Sequence, residues 1–289
     1  MADKSDKQFQ HFVPDFFLSG WQTTADRKPR RVWVYEKDSD PYHAAIKHTG
    51  GEENFYATKK SDGTTDIGTI EQFLSRGESR AGMVFAKIKN REQLNAKDRR
   101  DFAEFLGTLV RRSPFSLEKA KALVNKLLPG VIDPLVKIAN RIDNEARRRR
   151  AVKNIEKVAA ERKADPDSIA KLAIVQPSDI AEFVDKMDWA FFHCSTSKFV
   201  TSDNPFVYSI GLGIGDFENG HIIMPISSEV SFQARNSTEF NGGYYEISDD
   251  NVKEINMRII GHAKSQVFAC EQSEELKEIV RMKIASDLR

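Results

Sequence analysis

The chain has 289 residues, of which 40% are hydrophobic and 30% are charged, a composition that excludes global disorder and favours a packed core. The formal net charge is only +1, so no overall charge bias attracts nucleic acid or an anionic membrane, and any such binding needs a local patch. The two cysteines, the polar N-terminus and the lack of a long apolar run predict a cytoplasmic protein with no membrane association.

The first third of the chain predicts a tail, a strand and two helices. Residues 1–9 are polar and predict a tail, whereas the alternating β-branched and aromatic residues at 31–35 predict a strand. Residues 36–66 are rich in Asp, Gly, Lys and Thr and predict mostly loop. Apolar residues at helical spacing then predict an amphipathic helix over 67–90 and another over 97–112.

Residues 116–176 are the helical middle of the chain, which we interpret as an insertion or subdomain within one domain that spans 1–289. Ser116 is a candidate N-cap for a helix that ends near Pro129 and Gly130, and a long helix is predicted over 131–163. Four consecutive arginines, at 147–150, form either a solvated helix face or a surface that contacts phosphates.

The chain turns to strands after residue 188 and ends in helices. Candidate strands lie at 189–193, 199–201, 205–208, 221–225 and 230–234, and candidate helices at 249–265 and 273–286. This order predicts an α+β fold rather than regular alternation. The N-terminal and 188–235 strands would form a mixed or antiparallel sheet, packed with the central helical region and the C-terminal helices.

Two quartets, His11-Phe12-Val13-Pro14 and Ser202-Asp203-Asn204-Pro205, carry candidate functional groups. The second quartet has the residues that turns favour, but it also places a carboxylate at the end of a strand, where a metal or a reacting group could be held. His11 is either a structural residue or a general base or metal ligand, because the ordinary pKa of histidine lies near neutrality.

Helical projection singles out three more polar residues. Glu78 falls about 20° outside the apolar stripe of its helix, where it forms either a rim salt bridge or a half-desolvated functional carboxylate. Arg111 points away from the stripe of the next helix, whereas Arg112 lies at its flank and could clamp a carboxylate or phosphate. Asn256 falls inside the stripe of the 249–265 helix, either as a core hydrogen-bonding group or as part of a pocket.

The two quartets resemble the signature motifs of a bacterial family of unknown function, DUF4238. Further matches, in chain order, are Val32-Trp33-Val34-Tyr35, Asn54-Phe55-Tyr56, Glu78-Ser79-Arg80-Ala81, Arg112-Ser113-Pro114, Pro225-Ile226-Ser227, and Asn256 with Ala263. The resemblance covers roughly residues 10–269 and implies no particular activity. The polar residues at positions that match the family's motifs are His11, Glu78, Arg112, Asp203, Asn204 and Asn256.

The favoured hypothesis is a hydrolase of phosphodiester or nucleotide substrates, such as a nuclease-like effector of bacterial defence, which acts on nucleic acid or a nucleotide. The roles are catalysis or binding of divalent Mg or Mn for His11, Glu78 and Asp203, and substrate binding for Arg112, Asn204 and Asn256. The alternatives are a non-catalytic module that binds an anion or a partner, and a partner-binding scaffold built on the 116–176 helices.

Overall fold

The computed structural model describes residues 7–23, 28–60, 62–163, 165–176, 179–209, 220–235 and 242–284. Its strands are β1 (Phe9–His11), β2 (Arg31–Glu36), β3 (Tyr42–Ala45), β4 (Gly51–Glu53), β5 (Thr58–Lys59), β6 (Thr65–Asp66), β7 (Asp188–His193), β8 (Thr201–Ser202), β9 (Val207–Ser209), β10 (His221–Pro225), β11 (Val230–Arg235), β12 (Tyr244–Glu246) and β13 (Gln266–Ala269). Its helices are α1 (Asp15–Leu18), α2 (Thr69–Lys89), α3 (Ala96–Arg112), α4 (Pro114–Ala139), α5 (Glu145–Lys163), α6 (Pro166–Leu172), α7 (Asp179–Lys186), α8 (Asp249–His262) and α9 (Glu274–Ile284). The predicted α+β class is confirmed.

The larger sheet has five strands in the order β12-β7-β11-β10-β9. Adjacent strands in this sheet are antiparallel, except for β12 and β7, which are parallel to each other. Helix α3 packs on this sheet through aromatic residues: the ring of Phe102 lies 5.4 Å from that of Trp189 and 5.1 Å from that of Phe232. Helix α3 therefore covers a sheet whose strands all come later in the chain.

The second sheet has four strands in the order β3-β2-β13-β8. Strand β13 pairs antiparallel with β2 on one side and with β8 on the other, so strands from distant parts of the chain meet here. The indole of Trp21 adds a further connection, because its Nε1 donates to the carbonyl of Phe199 at 2.8 Å. Helices α8 and α9 pack over this sheet with a core that includes Ile259 and Val280.

Helices α2 and α3 form for local reasons that the sequence displays. The buried positions of α2 follow a helical repeat: Ile70, Leu74, Ala81, Val84 and Ile88. Helix α3 starts with a capping box, in which the Asn95 side chain accepts from the backbone of Asp98 and the Asp98 side chain accepts from that of Asn95. It ends at Arg112, because Ser113 turns to an extended conformation.

Two predicted segments in the first quarter of the chain differ from the structure. Residues 36–66 contain four short strands, β3 to β6, rather than mostly loop. Strand β1 begins at Phe9, within the predicted polar tail, and residues 1–6 of that tail lie outside the described residues. The short pairings of these strands lack the long alternating pattern that sequence analysis needs.

The boundary predicted at 129–130 is wrong. Helix α4 begins at Pro114 with Ser113 as its N-cap, whose hydroxyl accepts from the N–H of Ser116, and it continues to Ala139. The break falls at 140–144, before α5. Helix α4 contacts both α5 and α6, and these tertiary contacts override the local Pro-Gly signal. Among the described residues, no helix is long and apolar enough to cross a membrane.

Candidate functional site

Strand β1 brings His11 to the first group of polar residues. It pairs antiparallel with β4, where His11 lies opposite Gly51. A Cβ at Gly51 would lie 2.4 Å from the carbonyl oxygen of Gln10 and 2.9 Å from the Cα of His11. Only glycine fits at this close approach, so residue 51 fixes the position of the His11 backbone.

Arg112, the last residue of α3, is the centre of this group. Its side chain is 2% exposed, and its Nη1 donates to Oε1 of Glu78 at 2.6 Å. Its Nη2 donates to the carbonyl of His11, and its Nε donates to the hydroxyl of Tyr56 at 3.1 Å. One buried guanidinium therefore joins α2, α3, β1 and the segment after β4.

Tyr56 completes the surroundings of this guanidinium. Its hydroxyl donates to the carbonyl of His11 at 3.0 Å and accepts from Arg112. Burial raises the pKa of Tyr56 to about 12, so the phenol stays protonated and keeps its role as a donor. Burial alone would lower the pKa of Arg112, but Tyr56 and Glu78 raise it above its ordinary value.

Helix α2 supplies two carboxylates to this group. Glu78 is bound to Arg112 and keeps 26% of its side chain exposed, as expected for the rim of the apolar stripe. Glu71 lies two turns earlier, and its Oε2 is buried without a hydrogen-bond partner among the described residues. Burial and the charge of Glu78 raise the pKa of Glu71, whereas Arg112 acts in the opposite direction. We call His11, Tyr56, Glu71, Glu78 and Arg112 the Arg112 cluster.

Burial favours the neutral form of the His11 imidazole. Its Nε2 lies 3.3 Å from the carbonyl of Ile46, and burial lowers its pKa below the ordinary 6.5. The nearby charges of Asp15 and Glu78 oppose that shift, and Arg112 adds to it. A neutral imidazole that uses Nε2 as a donor leaves Nδ1 as an acceptor.

Asp203 lies in a different place, at the connection between α8 and β13. Its Oδ1 accepts from the N–H of Lys264 at 2.8 Å, and its Oδ2 accepts from the N–H groups of Ser265 and Gln266 and from the Ser265 hydroxyl. Burial raises the pKa of Asp203, and these four donors act in the opposite direction. The residue is 1% exposed, so its carboxylate is fully engaged by the fold.

Asn204 strengthens the same connection. Its Nδ2 donates to the carbonyl of His262, the last residue of α8, at 3.0 Å. We call Asp203, Asn204 and their partners at 262–266 the Asp203 junction. The quartet at 202–205 is thus a buried brace for the chain between α8 and β13.

Asn256 is also a structural residue. Its Oδ1 accepts from the N–H of Val200 and its Nδ2 donates to the carbonyl of Lys198, both at 2.9 Å. These bonds attach α8 to the segment that precedes β8. Asn256 also lies on the wall of a cavity of about 380 Å³ between α8 and α9, but both ends of its amide are occupied by backbone.

The structure therefore brings together three of the six predicted site residues: His11, Glu78 and Arg112. Among the described residues no group of three or more His, Cys, Asp or Glu is arranged to hold a metal ion. In the structure, three backbone N–H groups and the Ser265 hydroxyl occupy the Asp203 carboxylate, whereas His11 and Glu78 belong to the Arg112 cluster. Asn204 and Asn256 likewise bind backbone groups of the fold. A divalent cation shared by His11, Glu78 and Asp203 stays a prediction.

A cleft of about 720 Å³ lies next to the Arg112 cluster, between α2, α3 and α7. It shares these helices with the cluster: Leu74 and Gly77 line it on α2, and Arg111 lines it on α3. Its size is within the range of small-molecule sites. Because Glu78 and Arg112 directly follow Gly77 and Arg111 in the chain, cluster and cleft occupy neighbouring faces of the same two helices.

Arginines dominate the polar wall of this cleft: Arg76, Arg80, Arg100 and Arg111. Carboxylates on the wall include Glu104, bound to Arg80 at 2.9 Å, and Glu182, bound to Lys186 at 2.7 Å. Arg76 and Arg100 are exposed and form no ion pair within the described part of the chain. We call this space the arginine-lined cleft.

Sequence analysis missed Tyr56 as a member of the cluster and missed the cleft. Arg80 belongs to the Glu78-Ser79-Arg80-Ala81 element, but Arg76 and Arg100 carry no motif, and the common wall of these arginines depends on how α2 packs against α3. A projection of α2 would have placed Arg76 and Arg80 on one face of that helix, because they are four residues apart. The partner of Tyr56 is 56 residues away and gives no local signal.

Comparison with known proteins gives a family but no activity. A family model described as "Protein of unknown function (DUF4238)" matches residues 10–273. No curated protein and no solved structure matches the chain. The matched range includes both quartets and both helices of the Arg112 cluster, and the match confirms the predicted family.

Proposed function

For a chain that belongs to the DUF4238 family, whose description names no activity, we propose that the protein is a binding module for an anionic ligand of the nucleotide class. The arginine-lined cleft is the binding site. The observation that carries the proposal is the pair of exposed arginines, Arg76 and Arg100, on the wall of a cleft large enough for a nucleotide.

The cleft supplies complementary parts for such a ligand. Arginine recognises phosphate through paired N–H donors, and it also stacks on the flat face of a base. The apolar part of the wall includes Phe73, which is 39% exposed, and Val175. Arg112 does not take part, because its guanidinium is enclosed and occupied by protein groups.

Calorimetric titration of the full chain with ATP tests this proposal. We expect Arg76→Ala and Arg100→Ala each to weaken binding about tenfold, the loss of one charge-assisted contact. Arg258→Ala is the control, since Arg258 is also an exposed arginine, on α8 outside the cleft, where it pairs with Glu254. The proposal fails if ATP does not bind at millimolar concentration, or if the control weakens binding as much as the cleft variants.

We also propose, as a second candidate, a hydrolase of phosphodiester or nucleotide substrates centred on the Arg112 cluster. The supporting observation is the pair of carboxylates on α2. Glu78 is bound to Arg112 and, as a carboxylate, would accept a proton from the attacking water. Glu71, whose pKa is raised by burial, would donate a proton to the leaving group.

A cleavage assay with RNA, DNA and nucleoside triphosphates, with and without Mg²⁺ or Mn²⁺, tests the second candidate. Glu71→Gln and Glu78→Gln should each abolish product formation, whereas Glu52→Gln, an exposed glutamate on β4, should not. Asp203→Ala is a poor probe, because it removes a structural brace. Unchanged turnover in both α2 variants contradicts this site; the nuclease role in bacterial defence remains a prediction that depends on it.

A further inference from the structure

The α4–α5 region carries an apolar row that the rest of the described chain does not cover. The exposed fractions of its large apolar side chains are Phe115 40%, Leu123 54%, Leu127 54%, Leu135 45% and Ile138 62%. At 100° per residue, Leu123, Leu127 and Ile138 fall within about 60° of one another on α4. They form a row on one side of α4 that extends about 22 Å along the helix axis.

Lysines border this row along one edge. Lys119, Lys126 and Lys137 fall within about 20° of one another, and about 40° to 60° from Leu123. All three are exposed. A row of aliphatic side chains beside a row of lysines is the pattern of a helix that lies in the surface of a lipid bilayer, where lysine stems follow the apolar region and their ammonium groups reach the headgroups.

The charge of the whole hairpin is strongly positive. Residues 114–163 contain thirteen Lys and Arg against six Asp and Glu, a net charge of +7, although the full chain carries +1. Helices α4 and α5 contact each other across the connection at 140–144. Arg147 and Arg150 on α5 are exposed. This is the local basic patch that the nearly neutral chain requires for any anionic partner.

We propose that the α4–α5 hairpin docks on an anionic lipid surface, with the Leu123–Leu127–Ile138 row in the headgroup region. A nucleic acid would satisfy the basic groups but would leave the aliphatic row in water. A second copy of the chain would cover the row but would bring two hairpins of net charge +7 together. An anionic bilayer matches both the charge and the apolar row.

Vesicle co-sedimentation of the full chain tests this proposal. We expect binding to vesicles of phosphatidylglycerol mixed with phosphatidylcholine, no binding to pure phosphatidylcholine, and weakening by salt. Leu127→Ser combined with Ile138→Ser, and separately Arg147→Glu combined with Arg150→Glu, should each weaken binding at least about tenfold.

Matched controls change the same chemistry elsewhere on the surface. Met83→Ser combined with Met282→Ser removes two apolar side chains that are 59% and 66% exposed. Lys47→Glu combined with Lys89→Glu reverses two exposed charges outside the hairpin. Both controls should bind vesicles within about twofold of the unmodified chain.

Three outcomes overturn the proposal. The first is no preference for phosphatidylglycerol at low salt, and the second is full binding by the Leu127→Ser, Ile138→Ser variant. The third is a lipid-free dimer in light scattering that the same variant abolishes, because the row would then be a contact between copies. Loss of ATP binding in the cleft variants has no bearing on these results, so the two proposals fail independently.

Discussion

The Arg112 cluster and the Asp203 junction both place a buried charge among polar groups, but they differ in how much hydrogen-bonding capacity the fold leaves unused. At the Asp203 junction, both carboxylate oxygens accept hydrogen bonds from residues 264–266, and the side chain has no further capacity. In the Arg112 cluster, Glu78 is partly exposed and one oxygen of Glu71 lacks a partner among the described residues. A buried polar residue indicates a functional site only when some of its bonding capacity is unused by the fold.

The largest expected effect comes from removing the carboxylate of the Asp203 junction. Asp203→Ala leaves three backbone N–H groups without an acceptor, and we expect the free energy of unfolding to fall by about 4 kcal/mol. Urea denaturation measures this loss. Asp250→Ala, at an exposed position on α8, should change it by less than about 0.5 kcal/mol. A similar small change for Asp203→Ala would show that the junction is not a brace.

A double-mutant cycle tests whether the two regions are energetically separate. Arg112→Met should cost about 3 kcal/mol, because it removes the guanidinium that binds Glu78 and the Tyr56 hydroxyl. Combined with Glu78→Gln, it should show a coupling of about 1–3 kcal/mol. Combined with Asp203→Asn, it should be additive within about 0.5 kcal/mol. Strong coupling between Arg112 and Asp203 would break the distinction between the regions.

Glu71→Gln should have a smaller effect, with the opposite sign. Because burial raises the pKa of Glu71, its ionised form is disfavoured in the folded protein, and an amide should stabilise the fold at pH 7 by up to about 1 kcal/mol. The contribution of the protonated group is present below its unfolded pKa and is lost as pH rises through the raised pKa. The stabilisation by Glu71→Gln should therefore vanish at acidic pH, where Glu71 is protonated in both states. Melting temperatures of the variant and the unmodified chain, measured across pH, test this.

The smallest expected effect concerns His11. Burial lowers its pKa, so the neutral ring stabilises the fold above the unfolded pKa of 6.5, and this contribution is lost as pH falls through the lowered pKa. His11→Gln should flatten the fall of melting temperature below pH 6.5. His48→Gln, at an exposed position, is the control and should leave the profile unchanged. Parallel profiles for both variants would contradict the burial of a neutral His11.

Periodicity predicted the parts of the Arg112 cluster that lie on single helices. The projection that separated Arg112 from Arg111 is confirmed, because Arg112 is buried whereas Arg111 lines the cleft. The rim position of Glu78 is confirmed as well. These results depend only on helical geometry and on where the apolar stripe lies, both of which can be read within about twenty residues.

Contacts between distant segments could not be predicted in this way. Asp203 binds residues more than 60 positions later, and the turn-like composition of its quartet gave no indication of those partners. The cleft arises from the packing of α2 against α3 and α7, which no single helix encodes. The short strand β4, which positions His11, is specified by pairing and by the space available at Gly51 rather than by its own pattern.

The long-range bonds of the N-terminal segment also set an order of events during synthesis. The carbonyl of His11 receives its guanidinium partner 101 residues later, Trp21 bonds Phe199 178 residues later, and Tyr35 bonds Glu271 236 residues later. On the ribosome, Trp21 and Tyr35 therefore cannot form these bonds until Phe199 and Glu271 have emerged. Until then, the nascent chain exposes aromatic side chains of this early segment.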